Sequence, residues 1–215
     1  SAEAASGHCL TQRYVAWQSR CNAAELGRVP DIVFLHNPER ADRPHDAITG
    51  AFTALEAEAH AGRIGGYGVA TWTGFDGVFS VADLLDIATS CGGAGHHLSA
   101  IQLPVSLVML NPVVQALEGT GPLAEATAAD VDTFISAPLH GGELPAMVTD
   151  ELAQLIDPGT TPTGAALRVT ASTPGVNHVL LGSGNAQHWE AAQHVLALPP
   201  LPDKTLHEVI DVLGA

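Results

Sequence analysis

Four bulky apolar residues, Ile32-Val33-Phe34-Leu35, run straight into His36-Asn37-Pro38, and this junction constrains the chain more than any other stretch. Four residues are too few for a helix. Branched and aromatic side chains without polar alternation suit a strand buried on both faces, so residues 32–35 are read as a buried strand. The same pattern recurs. Residues 11–26 read as a helix with Tyr14, Val15 and Trp17 among its apolar positions. Residues 46–61 carry Ile48, Phe52 and Leu55 at helical spacing and are closed by Gly62. A strand is expected over 67–70. Ser80 with Asp83 three residues on resembles a capping box, opening a helix to about Cys91. Strands are expected over 99–103 and 133–136, separated by a Gly-, Ala- and Thr-rich connection. Helices follow near 149–156 and 162–172, a last strand at 178–181, a helix over 186–196 capped by Asn185, and a closing helix at 205–213. Five strands alternating with helices argue for a parallel sheet with right-handed crossovers. No repeat, low-complexity run or linker marks a second domain, so residues 1–215 are expected to form one.

Length and charge narrow the classes. At 215 residues the chain is long enough for a substantial core, but a complete (β/α)8 barrel typically needs about 250 residues and rarely fewer than about 200. Eight Lys and Arg against 23 Asp and Glu give a net charge of −15. Such a field repels phosphate backbones, which excludes nucleic acid as a partner and makes a polyanionic cofactor unwelcome without a local basic pocket. Nothing approaches the roughly 20 apolar residues of a membrane span. Residues 1–6 lack the basic and apolar regions of a secretory leader. Three cysteines, Cys9, Cys21 and Cys91, are odd in number and lack metal-ligand spacing, so a reduced, cytoplasmic protein is expected.

Several residues stand where chemistry is done. His36 ends an apolar strand, and in a parallel barrel the carboxyl ends of the strands form the active face. An imidazole there donates to a carbonyl oxygen or moves a proton near neutral pH; a histidine satisfied at a strand end is the plainer alternative. Gln102 interrupts an apolar strand, where an unpaired amide costs about 1–3 kcal/mol. It needs a ligand or a structural partner. Trp72 suits either a pocket wall or core packing. His96-His97 follow a glycine-rich stretch but have no third ligand nearby, and adjacent side chains point apart, so no metal is expected. Ser136-Ala137-Pro138-Leu139-His140-Gly141-Gly142 follows a strand, with glycines that admit a ligand to the backbone. His140 either joins the active face or is solvated in a tight loop. Asn185, after Gly182-Ser183-Gly184, suits an anion-binding helix start or an ordinary turn.

Four segments together carry a family resemblance: Phe34-Leu35-His36-Asn37-Pro38-Glu39, Tyr67-Gly68-Val69-Ala70-Thr71-Trp72, Gly92-Gly93-Ala94-Gly95-His96-His97-Leu98-Ser99-Ala100-Ile101-Gln102-Leu103-Pro104, and Ser172-Thr173-Pro174-Gly175-Val176-Asn177-His178. Collinear from Gly7 to about Leu198, the chain resembles a bacterial subgroup of the aldo-keto reductases. The resemblance implies a (β/α)8 barrel that binds NADP(H) in extended form and reduces carbonyls through an Asp, Tyr, Lys and His tetrad. Only the histidine maps here, onto His36, while Gln102 matches the glutamine that holds the nicotinamide amide. The first three β/α units, with the Asp, Tyr and Lys, have no counterpart in the sequence. Tyr14 and Tyr67 do not occupy the proton donor's place. His188-Trp189-Glu190 continues into Ala191-Ala192 where the family's adenine-end motif ends in Glu-Asn, and Ala171 stands where an Arg is expected.

These features set the expectations. The fold is an α/β, incomplete aldo-keto-reductase-type TIM barrel of about five parallel strands in sequence order, with outer helices. The favoured function is non-redox acid–base chemistry on a small organic molecule (cyclisation, dehydration or isomerisation) by His36 with His140 or Glu39. Trp72, Gln102 and Asn37 would contact the substrate, with His36, Trp72, Gln102 and His140 facing a common cavity. No cofactor is favoured. If NADP(H) binds, Gln102, Ser136, Leu139, Gly182, Ser183 and Asn185 would hold it. The alternatives are an NADP(H)-dependent carbonyl oxidoreductase completed by another segment or partner, and a non-catalytic remnant that binds a ligand or partner. Open sheet edges and an uncovered barrel interior point to a homodimer, unless residues 119–122 or 205–215 fold over the gap.

Overall fold

The protein is described from a computed structural model covering residues 8–214; the reading of residues 1–6 lies outside the described residues. Two compact units divide the chain, one ending at Gln102 and the other beginning at Leu103. The first contains α1 (Gln12–Leu26), β1 (Ile32–His36), α2 (Pro44–His60), β2 (Gly66–Ala70), α3 (Val81–Gly92) and most of β3 (Leu98–Pro104). The second contains α4 (Asn111–Leu117), α5 (Gly121–Ala128), β4 (Asp132–Ser136), α6 (Asp150–Ile156), α7 (Pro162–Ser172), β5 (His178–Val179), α8 (Ala186–Leu196) and α9 (Asp203–Leu213). The strands form one sheet in the order β1-β2-β3-β4-β5, with parallel β1–β2, β2–β3 and β4–β5 pairs.

Register fixes which side chains share a face. Phe34 pairs with Gly68 and Gly68 with Ala100; His36 pairs with Ala70 and Ala70 with Gln102. The intervening row is Leu35, Val69 and Ile101. Tyr67, on the same face as Val69, packs its ring 4.7 Å from that of Phe52 on α2. Leu35, Val69 and Ile101 therefore face the helices, and His36 and Gln102 face the opposite way. That opposite face is built from small residues because space is short: a Cβ at Gly68 would lie 2.5 Å from the Ala100 carbonyl oxygen. On α2, Ile48, Phe52 and Leu55 recur at helical spacing and are fully buried, each worth about 1.5–3 kcal/mol of burial. The Ser80 Oγ accepts from the Asp83 N–H while the Asp83 carboxylate accepts from the Ser80 N–H, so the capping box that opens α3 is complete.

In the second unit the core gathers Leu107, Leu144, Ile156, Val169, Leu206 and Val209. The start of β5 is tied to β4 side chain to backbone. Asn177 Oδ1 accepts from the Thr133 N–H at 2.9 Å, and Thr133 Oγ1 accepts from the Asn177 N–H at 2.9 Å.

Four expectations need correction. Residues Ile32 to Phe34 of β1 are half-buried, not buried, because β1 lies at an edge of the sheet and pairs with β2 alone. The connection ahead of β4 holds two helices, α4 and α5. Both begin at a glycine- or asparagine-proline pair, where proline's fixed φ suits the first turn, and residues 121–122 open α5. β5 is two residues long: Leu180 still donates its N–H to the Ile135 carbonyl at 2.9 Å, but the strand pairing goes no further. Trp72 is 46% exposed, which removes core packing as its role.

Candidate active site

At the carboxyl end of the first unit's sheet, His36 is exposed at the last position of β1 and Gln102 is half-buried in β3. They sit in one register row with Ala70 between them, roughly 10 Å apart at two strand spacings. Alanine's small side chain leaves that interval open. Asn37 turns the chain out of β1 in the left-handed region, φ 47, where asparagine is tolerated better than most residues, while its N–H still donates to the Ala70 oxygen. The His36 carbonyl meets His8 Nε2 at 2.9 Å. Glu39 is committed on one side: its Oε1 accepts the backbone N–H of Trp72 at 2.9 Å and of Thr73 at 3.3 Å. Its Oε2 is buried with no hydrogen-bond partner among the described residues. Thus His36, Glu39, Trp72 and Gln102 all lie at the ends of β1, β2 and β3 or in the loops that follow.

Neither tyrosine is placed to donate a proton there. Tyr14 Oη donates to Gln18. Tyr67 Oη donates to the Glu56 carboxylate at 2.7 Å, and burial, reinforced by that carboxylate, pushes its hydroxyl well above the ordinary tyrosine range.

The second unit holds a cavity of about 530 Å³. Leu139, Gly182 and Ser183 line it, as do Thr161, Leu167, His188 and Trp189, which the sequence did not single out for binding. Ser183 organises its mouth. The Ser183 oxygen accepts from Trp189 Nε1 at 2.9 Å, its Oγ accepts from the Asn185 N–H at 3.2 Å, and its Oγ lies 3.2 Å from His188 Nδ1. The Asn185 side chain is spent on capping α8 through the Gln187 N–H. Ser136, half-buried at the end of β4, accepts from the Val105 N–H through its carbonyl. His140 lies in a 3-10 turn, His140–Gly142, with φ 47 and a buried Nδ1 lacking a partner among the described residues. It is not among the residues lining the cavity. The signal for Trp189 was available: an aromatic residue one turn into a helix that follows Gly-Ser-Gly-Asn.

No protein-family model and no curated protein matches the chain. Solved structures do, and they define its fold as the aldo-keto reductase type of (β/α)8 barrel, present here as five strands. Among them is the glycerol dehydrogenase of Gluconobacter oxydans, 16% identical with a TM-score of 0.73, matched over 95% of this chain and 65% of that one. An aldo-keto reductase from Bacillus halodurans, in its holo form, is 15% identical with a TM-score of 0.67 over 95% and 68%. An aldo-keto reductase from Klebsiella pneumoniae in complex with NADPH is 17% identical with a TM-score of 0.66 over 91% and 63%. The chain thus spans about two thirds of the length of these proteins. Among the described residues no helix is long and apolar enough to cross a membrane.

Proposed function

We propose that the chain is the dinucleotide-binding and carbonyl-binding part of an NADP(H)-dependent carbonyl oxidoreductase, acting on a small organic carbonyl. The observation that carries this reading is the cavity built on Leu139, Gly182, Ser183 and Trp189, because the first three are among the residues expected to hold NADP(H) should it bind. The cavity suits the group in part. An aromatic ring and apolar walls favour a base, and the hydroxyls of Thr161 and Ser183 favour a ribose. A bound NADPH supplies the hydride. His36 would donate a hydrogen bond to the substrate oxygen, Gln102 would hold the carboxamide, and Trp72, with Asn37 beside it, would wall the substrate. The remaining groups of the tetrad would come from residues beyond this sequence or from another chain.

A second reading, acid–base chemistry without a redox step, draws on two observations. The cavity lining includes no lysine or arginine for phosphates, and Tyr67 is tied to Glu56. His36 would then shuttle the proton, with Glu39 as its counterpart in a cyclisation, dehydration or isomerisation. Titration with NADPH, followed by tryptophan fluorescence, separates the two. Saturable quenching that disappears in Trp189→Phe, with Trp17 and Trp72 intact, supports the oxidoreductase. A flat titration up to millimolar NADPH on folded protein sinks it and leaves the non-redox reading. Cys9, Cys21 and Cys91 form no disulfide with one another, which fits the reducing setting of a cytoplasmic protein. The half-buried edge strand β1 supports a homodimer, checked by light scattering at micromolar concentration: a monomer would refute that assignment.

A further inference from the structure

Helix α2 carries two buried carboxylates, and their surroundings differ. Glu58 accepts from Arg20 Nη2 at 2.7 Å and from Arg63 Nε. Glu56 has neither arginine nor lysine within ion-pair reach among the described residues. Its Oε1 accepts two neutral donors, Tyr67 Oη at 2.7 Å and the His97 N–H at 2.7 Å. Its Oε2 faces two imidazoles instead, with His97 Nδ1 at 2.8 Å and His60 Nδ1 at 3.5 Å. The His60 and His97 rings meet edge to face at 4.9 Å. The potential ligand atoms of Glu56, His60 and His97 all lie within 4.8 Å of one another. Ions bound at about 2.0–2.2 Å hold neighbouring ligand atoms roughly 3–3.5 Å apart, so the cluster closes on an ion with small side-chain shifts.

We propose that Glu56, His60 and His97 form a binding site for a divalent transition-metal ion, with zinc the best match, and with solvent in a fourth position. Two imidazoles and one carboxylate are a borderline donor set that suits zinc and its neighbours rather than magnesium or calcium, which favour oxygen alone. The sequence places the set without strain: Glu56 and His60 are four apart and share one face of α2, and His97 arrives on the residue just before β3. The carboxylate is oriented from behind, as ligating groups usually are, by Tyr67 Oη and the His97 N–H on its other oxygen. Gly92 leaves the room: a Cβ there would lie 2.5 Å from the Glu56 carboxyl carbon. The His60 side chain is 63% exposed and gives the ion a way in. In the metal-free arrangement hydrogen bonds occupy the same atoms, His60 Nδ1 lying 2.9 Å from the Glu56 carbonyl oxygen, so binding exchanges these bonds for bonds to the ion. Tyr67 and His97 stand at the amino ends of β2 and β3, away from the row that holds His36 and Gln102. The ion braces α2 against the start of β3 and takes no part in carbonyl chemistry.

The test uses tag-free full chain stripped with chelator, titrated with Zn²⁺ by calorimetry and with Co²⁺ by visible absorption. One equivalent should bind, with d–d bands of a low-coordinate Co²⁺ site and a raised melting temperature. His60→Ala, at an exposed position that leaves the metal-free fold intact, should weaken Zn²⁺ binding about tenfold or more, as should His97→Ala. His194→Ala, removing an exposed histidine on α8, should change nothing. Absence of one-equivalent binding, or unchanged affinity in His60→Ala, overturns the site and assigns any bound zinc to scattered surface histidines.

Discussion

Glu58 keeps its carboxylate buried while both of its arginines reach out to water. The hydrogen bond from Arg63 outweighs the cost of burial and, with Arg20, holds the carboxyl down at about 2 against an ordinary 4.5. A depressed folded value means stability that is fully present above about 4.5 and is lost as pH falls toward about 2. Urea unfolding at stepped pH should show a midpoint that declines through that window. Glu58→Gln should flatten the decline and cost about 1–3 kcal/mol at neutral pH, discounted for the exposed guanidinium ends. A midpoint in the native chain that is flat across the window would remove the pair from the acid response. At this scale the sequence spoke clearly only where a residue broke its local pattern. His36 and Gln102 interrupt apolar strands, and both proved to lie in one register row. The Glu56 cluster was not legible. The His96-His97 pair was dismissed for want of a nearby third ligand, yet the partners of His97 stand 37 and 41 residues earlier, on a helix that only the fold brings alongside.

Helix α7 shows how one side chain serves several elements. Arg168, 8% exposed, donates through Nε to Asp157 after α6 and through Nη1 to the Pro199 carbonyl at 2.6 Å. One turn on, Ser172 Oγ accepts from the Leu201 N–H at 2.8 Å. The segment between α8 and α9 is therefore pinned along α7 at two points. Arg168→Met keeps the volume but leaves a carboxylate and a carbonyl unpaired, which should cost about 2–4 kcal/mol in urea unfolding and open residues 197–202 to limited proteolysis. A variant as stable and as protease-resistant as the native chain would show that water replaces the guanidinium. None of this was readable from spacing. Strongly patterned elements were: α1, α2 and α3 begin and end within about two residues of expectation, because apolar periodicity marks their extent and, at α3, a capping box fixes the start. The helices α4 and α5 were missed since alanine, glycine and threonine give weak periodicity, and β5 was overextended because apolar Leu180 and Leu181 look like strand whether or not they pair.

For the whole molecule, the order of the five strands followed from collinear segments, whereas the pairing of cations did not. Arg20, Arg28, Arg43, Arg63, Arg168 and Lys204 all sit against carboxylates. What a distant solute meets is thus a surface at −15, six of whose eight Lys and Arg are already neutralised locally. This bears on arrival rather than on fit. A dinucleotide approaching such a surface climbs an unfavourable potential that reaches about 10 Å into 0.1 M salt. Stopped-flow association of NADPH should speed up as inert salt is added, whereas association with a cation-lined site should slow; a rate that falls with salt would mean a local positive funnel governs the approach. A divalent cation runs down the same slope, so the two ligands should answer ionic strength in opposite senses, and the salt content of the cell would tilt the chain's encounters toward one or the other.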